Sequence, residues 1–211
     1  MVNTSNLKIG LRLLYNPSWL GGVNYVLSLG RMLKALPEQE RPEIVFLTAS
    51  EQAEAIALEH KNIADQIAPI EATRDLKLDF VYPATQLAEA SFGAPWAGWV
   101  PDWQCQHFPN LFSNQERVRR YIQYRALASQ PVMCLFSSQQ AIRDTKALFE
   151  APPETTDWRV FHFPAVFDEH VWTIGGDSIG HTRKKYNLPD TYIINCNKIW
   201  RHKNHLVVLE A

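Results

Sequence analysis

An α/β fold built on a doubly wound parallel sheet is what this sequence predicts, and three features predict it. Strand-length apolar runs alternate with helix-length amphipathic segments along most of the chain. The first run, Leu7 to Leu14, is nearly continuous in apolar residues, as suits a strand covered on both faces. The pair Gly21-Gly22 then stands between that run and the first helix, where such folds make their first tight turn.

The elements follow in order. After the loop YNPSWLGG, a helix runs from about Val23 to Leu36, with Asn24, Ser28 and Arg31 as its polar stripe. Val23, Val26, Leu27, Gly30 and Leu33 form its buried stripe. Glu43 to Leu47 reads as a second strand, and Ser50 to about Lys61 as a second helix capped by Ser50. Runs near Gln66 to Ile70, Asp79 to Tyr82 and Trp96 to Val100 read as further strands. Glu116 to about Gln130 is a helix with an arginine-rich face of Arg117, Arg119 and Arg120. Val132 to Phe136 is a buried strand, and Ser138 to Phe149 a helix with Ala141, Ile142, Thr145, Leu148 and Phe149 on one side. A loop over Ala151 to Asp157 leads to a last strand at Val160 to Phe163, and Phe167 to Pro189 reads as a polar connector.

The final stretch reads as a buried strand (Tyr192 to Cys196), a basic turn and the start of a helix with no capping Gly or Asn. Such a unit opens an α/β domain, so the chain is expected to be the first half of a two-domain protein. The expected division is a Rossmann-like domain over 1–166, a linker over 167–189 and the start of a second domain over 190–211.

Composition narrows the function classes. With 46% hydrophobic and 20% charged residues the chain can bury a sizeable core. A formal net charge of −1 offers nothing global to attract nucleic acid. Cys105, Cys134 and Cys196 are odd in number and far apart, which favours reduced thiols in a cytoplasmic protein over a disulfide framework. Lys8 and Arg12 interrupt the only early apolar run, so no signal peptide is read, and no run reaches the roughly 18 residues of a membrane span. Peripheral contact with a membrane stays open.

Three stretches carry candidate chemistry. Gly21-Gly22 can present backbone N–H groups and a positive helix end to a phosphate, or serve only as a tight turn. It is not a GxGxxG fingerprint, and no acid ends the second strand to hold a ribose, so a dinucleotide cofactor is disfavoured. The segment GWVPDWQCQHFPNLFS, Gly98 to Ser113, follows a strand end, where α/β folds bind ligands. Asp102, Gln104 and His107 supply an acceptor, an amide and an imidazole, while Trp99, Trp103 and Phe108 offer flat surfaces for sugar rings; the alternative is a core-packing loop. The turn NKIWRHKNH places Lys198, Arg201 and Lys203 just past a strand, suited to a diphosphate or to solvent. His202 and His205 lack a third ligand, so no metal is expected.

Taken together these stretches resemble family 4 glycosyltransferases, nucleotide-sugar-dependent enzymes with two Rossmann-like domains in the GT-B arrangement. The likeness runs in family order through Gly21-Gly22, VPDWQCQHFPNLFS, LFSSQQAIRDTKALF and KKYNLPDTYIINCNKIWRHKNHLVVLEA, where Lys198 and Lys203 keep the five-residue interval of the family's diphosphate-binding Arg and Lys. The resemblance implies a retaining sugar transfer from a nucleotide-diphosphate sugar to a glycan or lipid-linked acceptor. No metal or other cofactor is implied. Asp102 would lie at the catalytic cleft with Trp103, Gln104 and His107 on the acceptor, and Gly21, Gly22, Lys198, Arg201 and Lys203 on the donor diphosphate. The expected setting is the cytoplasm, with peripheral contact at the inner membrane face. The missing remainder of the second domain is the implied partner.

The chain departs from the family at Asn197-Lys198, where many members have Gly-Arg, and at Pro101-Asp102, where many have His-Asp. The family's paired glutamates are absent from this stretch. The competing expectation is a glycosyltransferase-like module that binds carbohydrate or protein without catalysis.

Overall fold

The computed structural model describes residues 7–17, 19–85, 92–129, 133–149, 156–166, 173–197, 199 and 203–210. The chain divides into two units, Met1–Val166 and Phe167–Ala211. In the first, the elements are β1 (Lys8–Arg12), α1 (Gly21–Lys34), β2 (Glu43–Thr48), α2 (Glu51–Glu59), β3 (Gln66–Pro69) and β4 (Phe80–Ala84). They continue with β5 (Trp96–Val100), α3 (Gln104–His107), α4 (Asn114–Ala128), β6 (Met133–Phe136), α5 (Gln139–Leu148) and β7 (Asp157–Val160).

All seven strands are parallel, in the order β3-β2-β1-β4-β5-β6-β7. This is a doubly wound, Rossmann-like α/β sheet. Its strand order reverses between β1 and β4, the crevice at which such sheets bind ligands. Strand alternation divides the core between two faces. Ile44 and Phe46 of β2 pack with Val23 and Val26 of α1 and Ala53 and Ala57 of α2. Val45 and Leu47 belong to the opposite cluster, which takes in Tyr124 and Leu127 of α4 and Ala141 of α5. Covered on both sides, β5 is buried throughout, as its unbroken apolar sequence requires.

Serines begin three of the helices by supplying an acceptor to otherwise unpaired amides. Ser50, Ser113 and Ser138 Oγ accept the N–H groups of Ala53, Glu116 and Ala141 at 3.2, 3.1 and 3.1 Å. Helix α1 has no such side-chain cap and no acid in its first turn.

Two local expectations are corrected. The last strand is Asp157–Val160 rather than Val160 to Phe163, because the edge strand alternates Trp158 and Val160 with the paired charges Asp157 and Arg159. In the second unit, helices α6 (Gly176–Lys185) and α7 (His205–Glu210) form, α6 within the stretch read as a connector. Asp177 in its first turn and Arg183, Lys184 and Lys185 in its last complement the helix dipole. Tyr192 to Cys196 forms no strand, and Ile193 and Ile194 are exposed. A strand exists only in a ladder, and no described residue of this unit pairs with it. Among the described residues no helix is long and apolar enough to cross a membrane.

Candidate functional site at the carboxyl edge

Because the strands are parallel, the loops after β1, β4, β5 and β6 emerge at one edge. Gly21-Gly22 follows β1 and Asp102 follows β5, with β4 between them, so their strands lie about 10 Å apart. At the switch point Arg12 Nη1 donates to Thr85 Oγ1 at 3.0 Å, joining the ends of β1 and β4.

The glycine pair opens α1, and its backbone lies against an indole. A Cβ on Gly21 would come 2.9 Å from Trp19 Nε1, and one on Gly22 2.7 Å from a Trp19 ring carbon. The close approach that these glycines permit is therefore made by Trp19. A turn holds that residue in place, its N–H donating to Asn16 O at 2.9 Å. Trp19, 40% exposed, also stacks on Trp99 at 5.7 Å. A phosphate reaching Gly21 or Gly22 closely has to share or displace that ring.

Beneath Trp19 lies an aromatic cluster. Trp99 stacks on Tyr25 at 4.3 Å and 15°, and donates its indole N–H to Ser137 Oγ at 3.0 Å. Phe163, just past β7, meets both rings edge-on at 5.1 and 6.2 Å. The Tyr25 and Tyr82 hydroxyl oxygens are 2.6 Å apart. Burial pushes both phenols well above the ordinary range, the Tyr82 bond partly offsetting the rise at Tyr25. Tyr124 is raised likewise by burial, and the Cys134 thiol is pushed up to about 12.

A pH dependence follows. Groups whose pKa is raised by folding contribute stability that is complete below the unfolded value and declines as pH climbs through it towards the folded value. For these tyrosines the loss begins near pH ~10. The urea midpoint should fall steadily above that pH, with part of the phenolate absorbance appearing only on unfolding. Full reversible ionisation of all seven tyrosines in the folded protein would contradict their burial.

The segment after β5 resolves into a short helix, α3, that sequence reading did not anticipate. Exposed Asp102 starts it, its Oδ1 accepting the Gln104 N–H at 3.0 Å. Gln104 is half-buried and His107 exposed. His107 Nε2 lies 2.8 Å from Asp144 Oδ2 of α5, and Asp144 Oδ1 accepts from Gln140 Nε2 at 2.6 Å. One imidazole nitrogen is thus committed, and the ring's orientation is set. Cys105 is buried within α3, and burial raises its thiol.

Trp103 does not offer the stacking surface expected of it. Its ring is 1% exposed, lies 5.1 Å from Tyr124 and 5.4 Å from Phe149, and donates its N–H to Thr145 Oγ1 at 2.7 Å. Trp99 is likewise core; of the three aromatics expected to offer stacking surfaces only Phe108 is exposed. A buried indole finds a polar partner for its N–H, and both tryptophans do so inside the fold.

Five expected site residues therefore share the carboxyl edge: Gly21, Gly22, Asp102, Gln104 and His107. Lys203 is exposed in the second unit, while Lys198 and Arg201 lie outside the described residues. The structure adds Trp19, Arg12 and Phe163 to this edge; the adjacency Trp19-Leu20-Gly21-Gly22 is the sequence signal for the first. Among the described residues no group of three or more His, Cys, Asp or Glu side chains is placed to hold a metal ion. No family model matches the chain, and neither does any curated protein or solved structure.

Proposed function

We propose that this chain is the acceptor-side part of a nucleotide-sugar-dependent, retaining glycosyltransferase. The supporting observation is the convergence of the Gly21-Gly22 helix start and the Asp102–His107 segment at one sheet edge, beside the topological switch point. In this reading Asp102 acts at the reacting acceptor hydroxyl, and Gln104 and His107 hold neighbouring hydroxyls. Leaving-group charge on the donor diphosphate is met by backbone N–H groups at Gly21 and Gly22 and by Lys198, Arg201 and Lys203, without a metal ion. The Trp19 ring shares or yields the space beside the glycines when that contact forms. The acceptor is a glycan or a lipid-linked sugar, and residues 190–211 begin a second, donor-binding domain. Cytoplasmic placement belongs to the same proposal.

One observation favours a second reading. Trp19 is seated against the glycine pair where a phosphate would approach, which favours a domain that binds carbohydrate or protein without turnover. Calorimetric titration separates the two. With most donor contacts on the second domain, UDP-glucose and GDP-mannose should bind this chain only at Kd of about 1 mM or weaker, about 4 kcal/mol. Short oligosaccharides should bind this chain, which by itself is expected to be inactive, and adding donor and oligosaccharide together to the complete two-domain protein should release nucleoside diphosphate. Oligosaccharide binding without release supports the module. Micromolar binding of a nucleotide sugar to the first unit would contradict the division of labour.

A further inference from the structure

The imidazole of His107 is held at one nitrogen. Its Nε2 lies 2.8 Å from Asp144 Oδ2, while Nδ1 enters no described hydrogen bond and the side chain is 53% exposed. A carboxylate can only accept, so Nε2 carries the proton of the neutral ring and Nδ1 keeps its lone pair.

Asp144 is itself held, with a side chain only 13% exposed. Its other oxygen, Oδ1, accepts from Gln140 Nε2 at 2.6 Å. Gln140 Oε1 in turn accepts from Arg143 Nε and Nη2 at 3.2 and 2.7 Å. A guanidinium can only donate, so Arg143 fixes which end of the Gln140 amide faces it and which end faces Asp144. Both hydrogen bonds that reach the carboxylate therefore arrive from donors. Fastening α3 to α5 does not need this network, because buried Trp103 already donates to Thr145 Oγ1, on the next residue of α5, at 2.7 Å. An ion pair at a surface adds little stability, so what the network supplies is direction.

We infer that Asp144 is a positioning residue: it holds His107 in the Nε2–H form, so that Nδ1 accepts a hydrogen bond from a sugar hydroxyl at the carboxyl edge. The inference rests on the sugar-binding reading above and sharpens it. The hydroxyl that His107 meets is a donor, and a sugar methylated or deoxygenated at that place loses the contact. Asp144 itself touches no substrate and acts through His107.

Nitrogen-15 NMR of the histidine rings in the full chain, at about pH 9 and so above the ordinary imidazole range, reads the tautomer without any ligand. The His107 signals are assigned by their absence from His107→Gln. The parent should carry the proton on Nε2 alone. Asp144→Ala removes the acceptor, and His107 should then show both neutral forms. Asp144→Asn is the sharper variant. Gln140 still points an N–H at this side chain, so the asparagine oxygen turns to Gln140 and its NH2 group to His107 Nε2. That moves the ring proton to Nδ1. Calorimetric titration with maltotriose, cellotriose and mannotriose gives the second readout. A trisaccharide that binds the parent should bind Asp144→Asn about tenfold more weakly, as for one lost hydrogen bond. Urea midpoints of both variants should stay near the parent's, since Trp103 still holds α3. Three results overturn the inference: a proton on Nδ1 in the parent, a His107 ring still protonated on Nε2 in Asp144→Asn, or undiminished trisaccharide binding by Asp144→Asn. Each of these leaves the sugar-transfer reading standing, whereas a parent that binds none of the trisaccharides overturns the hydroxyl contact and that reading together.

Discussion

Replacing Trp99 with alanine is expected to cost the first unit about 3–5 kcal/mol, the range for removing a fully buried large aromatic side chain. Its ring contacts Tyr25 at 4.3 Å, Trp19 at 5.7 Å and Phe163 at 6.2 Å, so three aromatic neighbours face the resulting cavity. Buried Ser137 also loses the donor 3.0 Å from its hydroxyl. Against a typical domain stability of about 5–15 kcal/mol, this is a large fraction. Trp99→Phe keeps a ring in the stack and loses the indole N–H, so it should cost roughly 1–2 kcal/mol. Urea unfolding followed by far-UV circular dichroism gives both values. A cost below about 1 kcal/mol for alanine would mean the stack is not packed as described.

The same stack links stability to the site. Trp99 supports Trp19, and Trp19 covers the backbone of Gly21 and Gly22. Losing Trp99 should therefore release the indole from the helix end as well as loosen the core.

The central sheet was legible because burial on both faces leaves an unmistakable pattern. Trp96 to Val100 was read to the residue, since all five positions are buried. The serine starts of α2 and α5 were equally plain, because an acceptor before an apolar-periodic run has one structural use. The edge was harder. Only alternate residues of β7 face the core, so the more apolar stretch just beyond it looked like the strand. Phe161 and Phe163 of that stretch pack instead against Tyr82 and Tyr25.

At the site, residue types were legible but their directions were not. Trp103 and Asp102 are neighbours in a chemically suggestive segment, yet one is core and the other exposed. Burial of Trp103 depends on Thr145, 42 residues away, and no local pattern announces that contact. The glycine pair predicts a close approach, and the approaching group is Trp19, two residues before Gly21. In the second unit, the apolar pattern of Tyr192 to Cys196 was real but had no described ladder partner to make it a strand.

Asp102→Asn is expected to have the largest effect on turnover, a fall of about 10²- to 10⁴-fold, the usual contribution of a positioned acid or base. An amide oxygen can still accept the Gln104 N–H, so the start of α3 should hold and stability should change by under about 1 kcal/mol. Donor affinity should change little, because the proposed donor contacts lie mainly elsewhere. A tenfold or greater loss of donor affinity with unchanged turnover would instead assign Asp102 to the donor.

Amide-resolved NMR of the labelled chain titrated with short oligosaccharides asks most directly whether the carboxyl edge is the binding site. The expected result is saturable shifts at residues 19–22 and 101–108, weakened in Asp102→Asn. Shifts confined to residues 36–42, 61–65 and 75–79 at the opposite edge, or no shifts with any saccharide, would contradict it.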